Sequence, residues 1–271
     1  MLDVGCSRKF QRAEAVLGAP RMTRFHVAAL LAVASGGLSL IFGKPTLFAI
    51  AVIVFAIVAG LGVAFPQLSF FGPYICKGNA TQKRVALTFD DGPDARSTPA
   101  LLDLLREAGV SATFFCVGDR VSAHRELATR IVSEGHLLEN HSFAHSNATN
   151  FFGLGRLRDE LQRTQDAVKE ATGRTPTLFR PPMGLSNPNT FRAARAVGLK
   201  VIGWSVRSLD TMTPDSERVA QRVMGRLSPG GIILLHDGNI PAKRLVMTVR
   251  LLLSNLKQSG YEVVRLDKLL E

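Results

Sequence analysis

Forty residues, His26 through Phe65, carry one charge, Lys44, and a stretch of that kind cannot form the surface of a water-soluble globule. Lys44 and Pro45 divide it into two apolar runs, His26 to Gly43 and Thr46 to Phe65. Each is about long enough to cross a hydrocarbon layer of roughly 30 Å at 1.5 Å per helical residue. The second, uninterrupted and rich in Ala, Val, Ile and Phe, is the stronger span. The first contains Ser35-Gly36-Gly37 and reads as a weaker span or as one arm of a helical hairpin. A buried helix of a soluble core does not run so far without charge. A cleaved signal peptide fits no better, because the apolar region is too long and no small-residue cleavage site precedes a polar start. Leu2-Asp3-Val4-Gly5-Cys6 has the form of a lipid-attachment box, but no apolar region precedes it, so it is read as chance.

The expected organisation is a basic tail (1–24), a membrane anchor of one or two helices (25–66), a linker (67–83) and a folded domain (84–271). Orientation follows flanking charge, since Lys and Arg are retained on the cytoplasmic side. Arg8, Lys9, Arg12, Arg21 and Arg24 precede the first run, Lys44 lies between the runs, and Lys77, Lys83 and Arg84 follow the second. Two spans place the N-terminus and the large domain in the cytoplasm; one span places the domain outside. Met22 is a second possible start, and initiation there removes most of the N-terminal positive charge.

The net charge of +11 and the pI near 10.2 raise nucleic acid as a partner. Residues 1–83 carry 8 basic and 2 acidic side chains, and the remaining 25 basic and 20 acidic ones are interspersed without a Lys/Arg run. Nucleic acid is therefore not expected, and no protein partner is indicated. Cys6, Cys76 and Cys116 are odd in number, widely spaced and without a CxxC pair, which points to neither a disulfide framework nor a thiolate metal site.

From residue 84 onward, short apolar strands alternate with amphipathic stretches. Val85 to Phe89, Ala112 to Val117, His136 to Glu139, Thr177 to Phe179, Lys200 to Trp204, Gly231 to Leu235 and Tyr261 to Arg265 read as seven strands. Helices are expected over Pro99 to Ala108, Ala123 to Glu134, Leu154 to Ala171, Asn189 to Ala196, Asp215 to Leu227 and Ala242 to Ser259. Such βα alternation implies a parallel sheet, open and doubly wound or closed into a barrel. Seven units without a Gly-rich nucleotide turn favour the barrel, with an acidic pair after the first strand.

Polar residues recur at one place on this scaffold. Asp90 and Asp91 end the first strand, His141 and His145 follow the third, Arg180 the fourth and Asp210 the fifth, and His236 ends the sixth. All are at C-terminal strand ends, where a βα barrel assembles its active site. The four-residue spacing of His141 and His145 lets one helical turn present both imidazoles to one point. With a carboxylate they make a two-His, one-carboxylate set that suits zinc in hydrolysis or iron(II) in oxygen chemistry. Asp90 and Asp91 repel unless a cation or proton separates them, so a metal on one leaves the other free as a base. Arg180 offers a fork to hold that second carboxylate, and His236 a proton for a leaving group.

Thr88-Phe89-Asp90-Asp91-Gly92-Pro93, His141-Ser142-Phe143-Ala144-His145, Arg180-Pro181-Pro182-Met183-Gly184 and Leu234-Leu235-His236-Asp237, in this order, resemble the motifs of the NodB-type polysaccharide deacetylases, carbohydrate esterase family four. The resemblance covers residues 84–271. It implies a distorted seven-stranded (β/α) barrel behind the N-terminal helices, and a hydrolase acting on the non-peptide carbon–nitrogen bond of an N-acetylated amino sugar. It also implies a divalent metal, with Zn2+ the expected ion. By position, Asp90 would be the general base, Asp91, His141 and His145 the metal ligands, and His236 the general acid. Arg180 would orient the base, Asp210 would brace Arg180 or His236, and Leu234 would line the acetyl pocket. A backbone N–H of the Pro182 to Gly184 turn, Met183 included, would join the metal at the oxyanion. The chain departs from the family at Arg207 and Thr211, where an acid and an aromatic are common, and at Met183, often an aromatic. Those departures bear on the sugar platform more than on the catalytic core. Trp204 is expected in the core, and His124 and His136 as ordinary surface or strand-end residues.

The expected substrate is an N-acetylated glycan of the cell envelope or a lipid-linked sugar. The alternatives weighed are a deformylase of a lipid-linked aminosugar and a catalytically silent carbohydrate-binding protein. An aspartate-dependent phosphatase is weaker, because that chemistry wants an acid where Gly92 stands.

Overall fold

A computed structural model describes residues 22–271, so most of the expected basic tail, with Cys6, lies outside the described residues. Two compact units meet in sequence between Ala59 and Gly60. The first holds α1 (Arg24–Ile41) and most of α2 (Pro45–Ala64). With mean hydropathies of 1.6 and 2.9, and only 11% and 6% of their apolar windows buried, both helices are candidates to cross a membrane. Pro45 occupies the first position of α2, where its missing N–H costs nothing.

The second unit is a curled parallel sheet with helices on its outside. Its strands are β1 (Arg84–Gly92), β2 (Thr113–Cys116), β3 (Leu137–Asn140), β4 (Leu178–Phe179), β5 (Lys200–Val201), β6 (Val206–Arg207), β7 (Gly231–His236) and β8 (Glu262–Val263). Seven follow the order β5-β4-β3-β2-β1-β7-β6, and every pairing is parallel. β8, the expected seventh strand, pairs only with Arg84 and Val85 of β1. The seventh place in the curl goes to Val206–Arg207, too short for any periodicity to announce. Residues expected as a linker enter this unit: Ile75 bridges Ile202 in parallel, and Lys77 bridges Gly231 antiparallel. They link the residue that follows β5 to the first residue of β7.

β1 explains why the sheet sits where it does. Val85, Ala86, Leu87 and Phe89 have no solvent exposure, an apolar run interrupted only by the equally buried Thr88 and suited to a central strand covered on both faces. Pleating then sorts the side chains. Val85, Leu87 and Phe89 join Ile233 and Leu235 in the core under the helices, while Ala86, Ile232 and Leu234 belong to the cluster inside the curl. Asp90 and His236 continue the inward set and are directly opposed in register.

The helices are α3 (Thr98–Glu107), α4 (Gly118–Ala123), α5 (Arg125–Ser133), α6 (Leu154–Thr172), α7 (Pro188–Ala196), α8 (Ser216–Met224), α9 (Ala242–Gln258) and α10 (Leu266–Leu269). α9 buries Leu245, Thr248, Val249, Leu252 and Leu256, one stripe at helical spacing. The helix expected from Ala123 to Glu134 is α5, beginning after His124, which at φ −128° and ψ 53° separates it from the short, unexpected α4. His136, expected at a strand end, is buried with Nδ1 accepting from the Ala112 N–H.

Candidate functional site

In a regular strand, neighbouring side chains face opposite sides, so Asp90 and Asp91 would not meet. Between Asp90 and Gly92 the register with β2 slips, and Asp91 takes a positive φ of 72°. That bulge turns the Asp91 carboxylate toward the same point as the inward-facing Asp90. Arg120 fastens the turn, its Nη1–H donating to the Asp91 carbonyl at 2.6 Å.

His141 and His145 also converge, but not on a helical turn. The segment is a loop in which Ser142 and His145 adopt φ 65° and 46°. Its shape is imposed from outside: Glu160 Oε2, on the buried face of α6, accepts the N–H groups of Phe143 and Ala144 at 3.1 and 2.9 Å. Asn140 Oδ1 accepts that of Ser142 at 2.9 Å. Neither Asn140 nor Glu160 was expected. The signal for Glu160 was an acid in the apolar stripe of an amphipathic helix, beside Leu157 and Leu161.

One donor atom each from Asp91, His141 and His145 lies within 4.8 Å of the others. His145 Nε2 is 3.1 Å, and His141 Nε2 3.4 Å, from Asp91 Oδ1. The chemistry of this set fits a cation. His141 Nδ1 lies 2.7 Å from the Arg180 carbonyl, which only accepts, so the ring proton sits on Nδ1 and the Nε2 lone pair faces a carboxylate. Two facing acceptors call for a positive charge between them. Burial pushes the Asp91 carboxyl up, but the two imidazoles beside it outweigh burial and hold it well below the usual carboxylate range.

Asp90 has a different partner. Arg180 is fully buried, donating from Nη1 to Asp90 Oδ1 at 2.7 Å and to Thr88 Oγ1 at 2.8 Å, and from Nη2 to the Gly203 carbonyl at 2.9 Å. Its guanidinium lies over the Phe115 ring, 4.2 Å from the centroid. Of the two roles open to Asp210, the geometry selects the one at His236. Asp210 Oδ1 accepts from His236 Nδ1–H at 2.9 Å and Oδ2 from the His236 backbone N–H at 2.8 Å. Burial pulls the His236 imidazole down, yet the hydrogen bond and charge of Asp210 prevail and raise it to about 9.

Asp90, Asp91, His141, His145 and His236 line one cavity of about 90 Å³. Leu234, Met183 and Gly184 form its other expected walls. Arg180 and Asp210 stand behind it, and Pro182 is buried in the turn without lining it. Two lining residues were not expected. Trp204 is buried, as foreseen, but also faces the cavity, where a Cβ on Gly184 would fall 2.1 Å from its ring. Arg207, read only as a departure from the family pattern, is the other.

Comparison with known proteins agrees with the geometry. The family model described as Polysaccharide deacetylase matches residues 77–202. A peptidoglycan-N-acetylglucosamine deacetylase of Bacillus cereus is 36% identical over 191 residues, covering 70% of this chain and 89% of the relative. The peptidoglycan-N-acetylglucosamine deacetylase PgdA of Listeria monocytogenes is 37% identical over 189 residues; the match covers 70% of this chain and only 39% of that longer protein. Among solved structures, the peptidoglycan deacetylase PdaC of Bacillus subtilis superposes with a TM-score of 0.64 at 30% identity, covering 70% of this chain and 91% of that one.

Proposed function

This chain belongs to the polysaccharide deacetylase family, and from that premise we propose that it hydrolyses the acetamide of an N-acetylated amino sugar in a metal-dependent reaction. The observation that carries the proposal is a pair of oppositely prepared proton carriers. Asp90, held by Arg180, and His236, held by Asp210, face each other across the β1–β7 register on the cavity that contains the three metal donors.

An amide is a weak electrophile with a poor leaving group, so hydrolysis needs a polarised carbonyl, an activated water and a protonated amine. Asp91, His141 and His145 would hold a divalent cation, with zinc suited to the donor set, which would supply Lewis-acid polarisation and acidify water. Asp90 removes the proton from the attacking water, and Arg180 holds its carboxylate aimed. His236, protonated on both nitrogens and anchored through Nδ1, gives its Nε2 proton to the departing amine. In the Pro182–Gly184 turn, Pro182 has no N–H and Gly184 spends its own on the Pro181 carbonyl, so the Met183 N–H is the donor left for the developing oxyanion. Leu234 and Trp204 give the acetyl methyl an apolar wall.

The test is acetate release by detergent-solubilised protein from polymeric and undecaprenyl-linked acetylated sugars, assayed side by side. Release of formate from an N-formyl analogue, with no acetate from either substrate, would replace the deacetylase by a deformylase. His141→Ala should bring zinc content far below one per chain by elemental analysis; equal content in the variant would remove His141 from the ligand set. Asp210→Asn should lower the alkaline limb of the kcat profile. The working form of His236 is protonated, so activity is present below its pKa and lost above it. Without the carboxylate the limb should move from about 9 to near or below an ordinary histidine value of about 6.5. An unmoved limb would show that another group sets it.

We also propose that α1 and α2 anchor the chain in the membrane, with the charge before α1 and after α2 keeping both ends in the cytoplasm. Alkaline phosphatase fused after Glu271 should then be inactive. Activity there would place the domain outside and leave one of the two helices as the only span.

A further inference from the structure

A second, open cavity of about 350 Å³ lies beside the catalytic one, lined by Pro93, Asp94, Ala95, Arg96, Arg120 and His124. It sits between the loop after β1 and the junction of α4 with α5, at the same C-terminal end of the sheet as the active site. One residue joins the two cavities: the Asp91 carboxylate belongs to the metal cluster, while its carbonyl is taken by Arg120.

The charges here are unbalanced. Asp94 is committed to Arg96, its Oδ1 accepting from Nε at 3.2 Å and its Oδ2 from Nη2 at 2.9 Å. Arg120 has no such partner. Its acceptors are neutral, the Asp91 carbonyl and Asn239 Oδ1 at 3.3 Å, and among the described residues no carboxylate stands within ion-pair distance of it. The His124 ring makes no hydrogen bond among the described residues, and it is half-buried at the cavity wall. Fastening the left-handed backbone of Asp91 accounts for one nitrogen of Arg120. It does not account for the Arg120 guanidinium, left without a counter-charge beside an unengaged imidazole and an arginine that has only Nη1 free of Asp94, all facing an open volume.

We propose that this cavity is a subsite for an anionic group of the substrate, a carboxylate or a phosphate, bound by Arg120, Arg96 and His124. The inference rests on the deacetylase reading and names the kind of substrate: a glycan with negative charge close to the acetamido sugar being hydrolysed. The planar guanidinium fork matches either oxyanion, and a charge-assisted hydrogen bond is about twice as strong as a neutral one.

The experiment compares kcat/KM for acetate release by the full-length protein in detergent on three substrates. These are a neutral N-acetylglucosamine oligomer, a peptidoglycan fragment bearing muramic acid carboxylates, and an acetylated disaccharide carried on a lipid diphosphate. One anionic substrate should exceed the neutral one by roughly tenfold or more at low salt, with the advantage shrinking as ionic strength rises. The favoured substrate identifies the source of the anion. Combining Arg96→Gln with His124→Gln should lower the anionic-to-neutral ratio by about tenfold, chiefly through KM. Equal kcat/KM on all three substrates, or a ratio untouched by the substitutions, overturns the subsite. If no substrate releases acetate, the deacetylase reading fails separately, and titration of inorganic pyrophosphate and of lactate decides the subsite. Binding that disappears when Arg96→Gln is combined with His124→Gln supports it; absent or unchanged binding overturns it.

Discussion

Asp90→Asn is expected to leave a folded protein that still binds its metal but turns over about 10²–10⁴-fold more slowly, the usual worth of a positioned general base. Asn keeps an Oδ1 to accept the Arg180 Nη1–H now bonded at 2.7 Å, so the buried scaffold retains its geometry. What disappears is the basic oxygen. The metal is expected to stay because its donors are the neighbouring Asp91 with His141 and His145. The checking measurement pairs single-turnover acetate release with zinc analysis on the same sample. Near-normal turnover would remove Asp90 as the base; lost zinc would place Asp90 among the ligands.

Arg180→Met should have the largest effect on stability. The guanidinium is wholly buried and satisfies the Asp90 carboxylate, the Thr88 hydroxyl and the Gly203 carbonyl at once. Met approximates its length and can still pack on Phe115, but leaves Asp90 as a buried charge without a counter-ion. Breaking a buried ion pair in this way costs about 3–5 kcal/mol, a loss of roughly 6–20 °C in Tm for a domain of this size. Adding Asp90→Asn to Arg180→Met removes the stranded charge and should recover part of the loss, so the two effects fall short of additive. Thermal unfolding of the four proteins checks this. Strict additivity would mean that Arg180 stabilises the domain by packing alone.

How far the residues announced this arrangement differs from case to case. β1 and β7 were legible because each carries five or six consecutive buried residues, and a run of that length is hard to read as anything but a central strand. β6, two residues long, was not, because its position depends on pairing with Ile233 and Leu234, far along the chain. The spacing of His141 and His145 correctly suggested convergence for an incorrect reason: a loop held open by Glu160 and Asn140 brings them together where a helix was expected. Asp210 had two possible partners on paper, Arg180 and His236, and only the fold shows that its carboxylate spans two donors of His236.

By itself, then, the sequence determined the kinds of group available and their order: two apolar helices, a βα succession, two acids, three histidines and an arginine at strand ends. Those features are local, set by composition and by periods of two and 3.6 residues. The family resemblance implied which acid meets the imidazoles and which the arginine, but only the tertiary structure shows how two adjacent acids can part in this way. A register slip and one left-handed residue turn Asp91 away from the strand's alternation, and Arg180 reaches Asp90 across 90 positions of sequence. Contacts of that range depend on how the sheet curls, and no nearby residue records it.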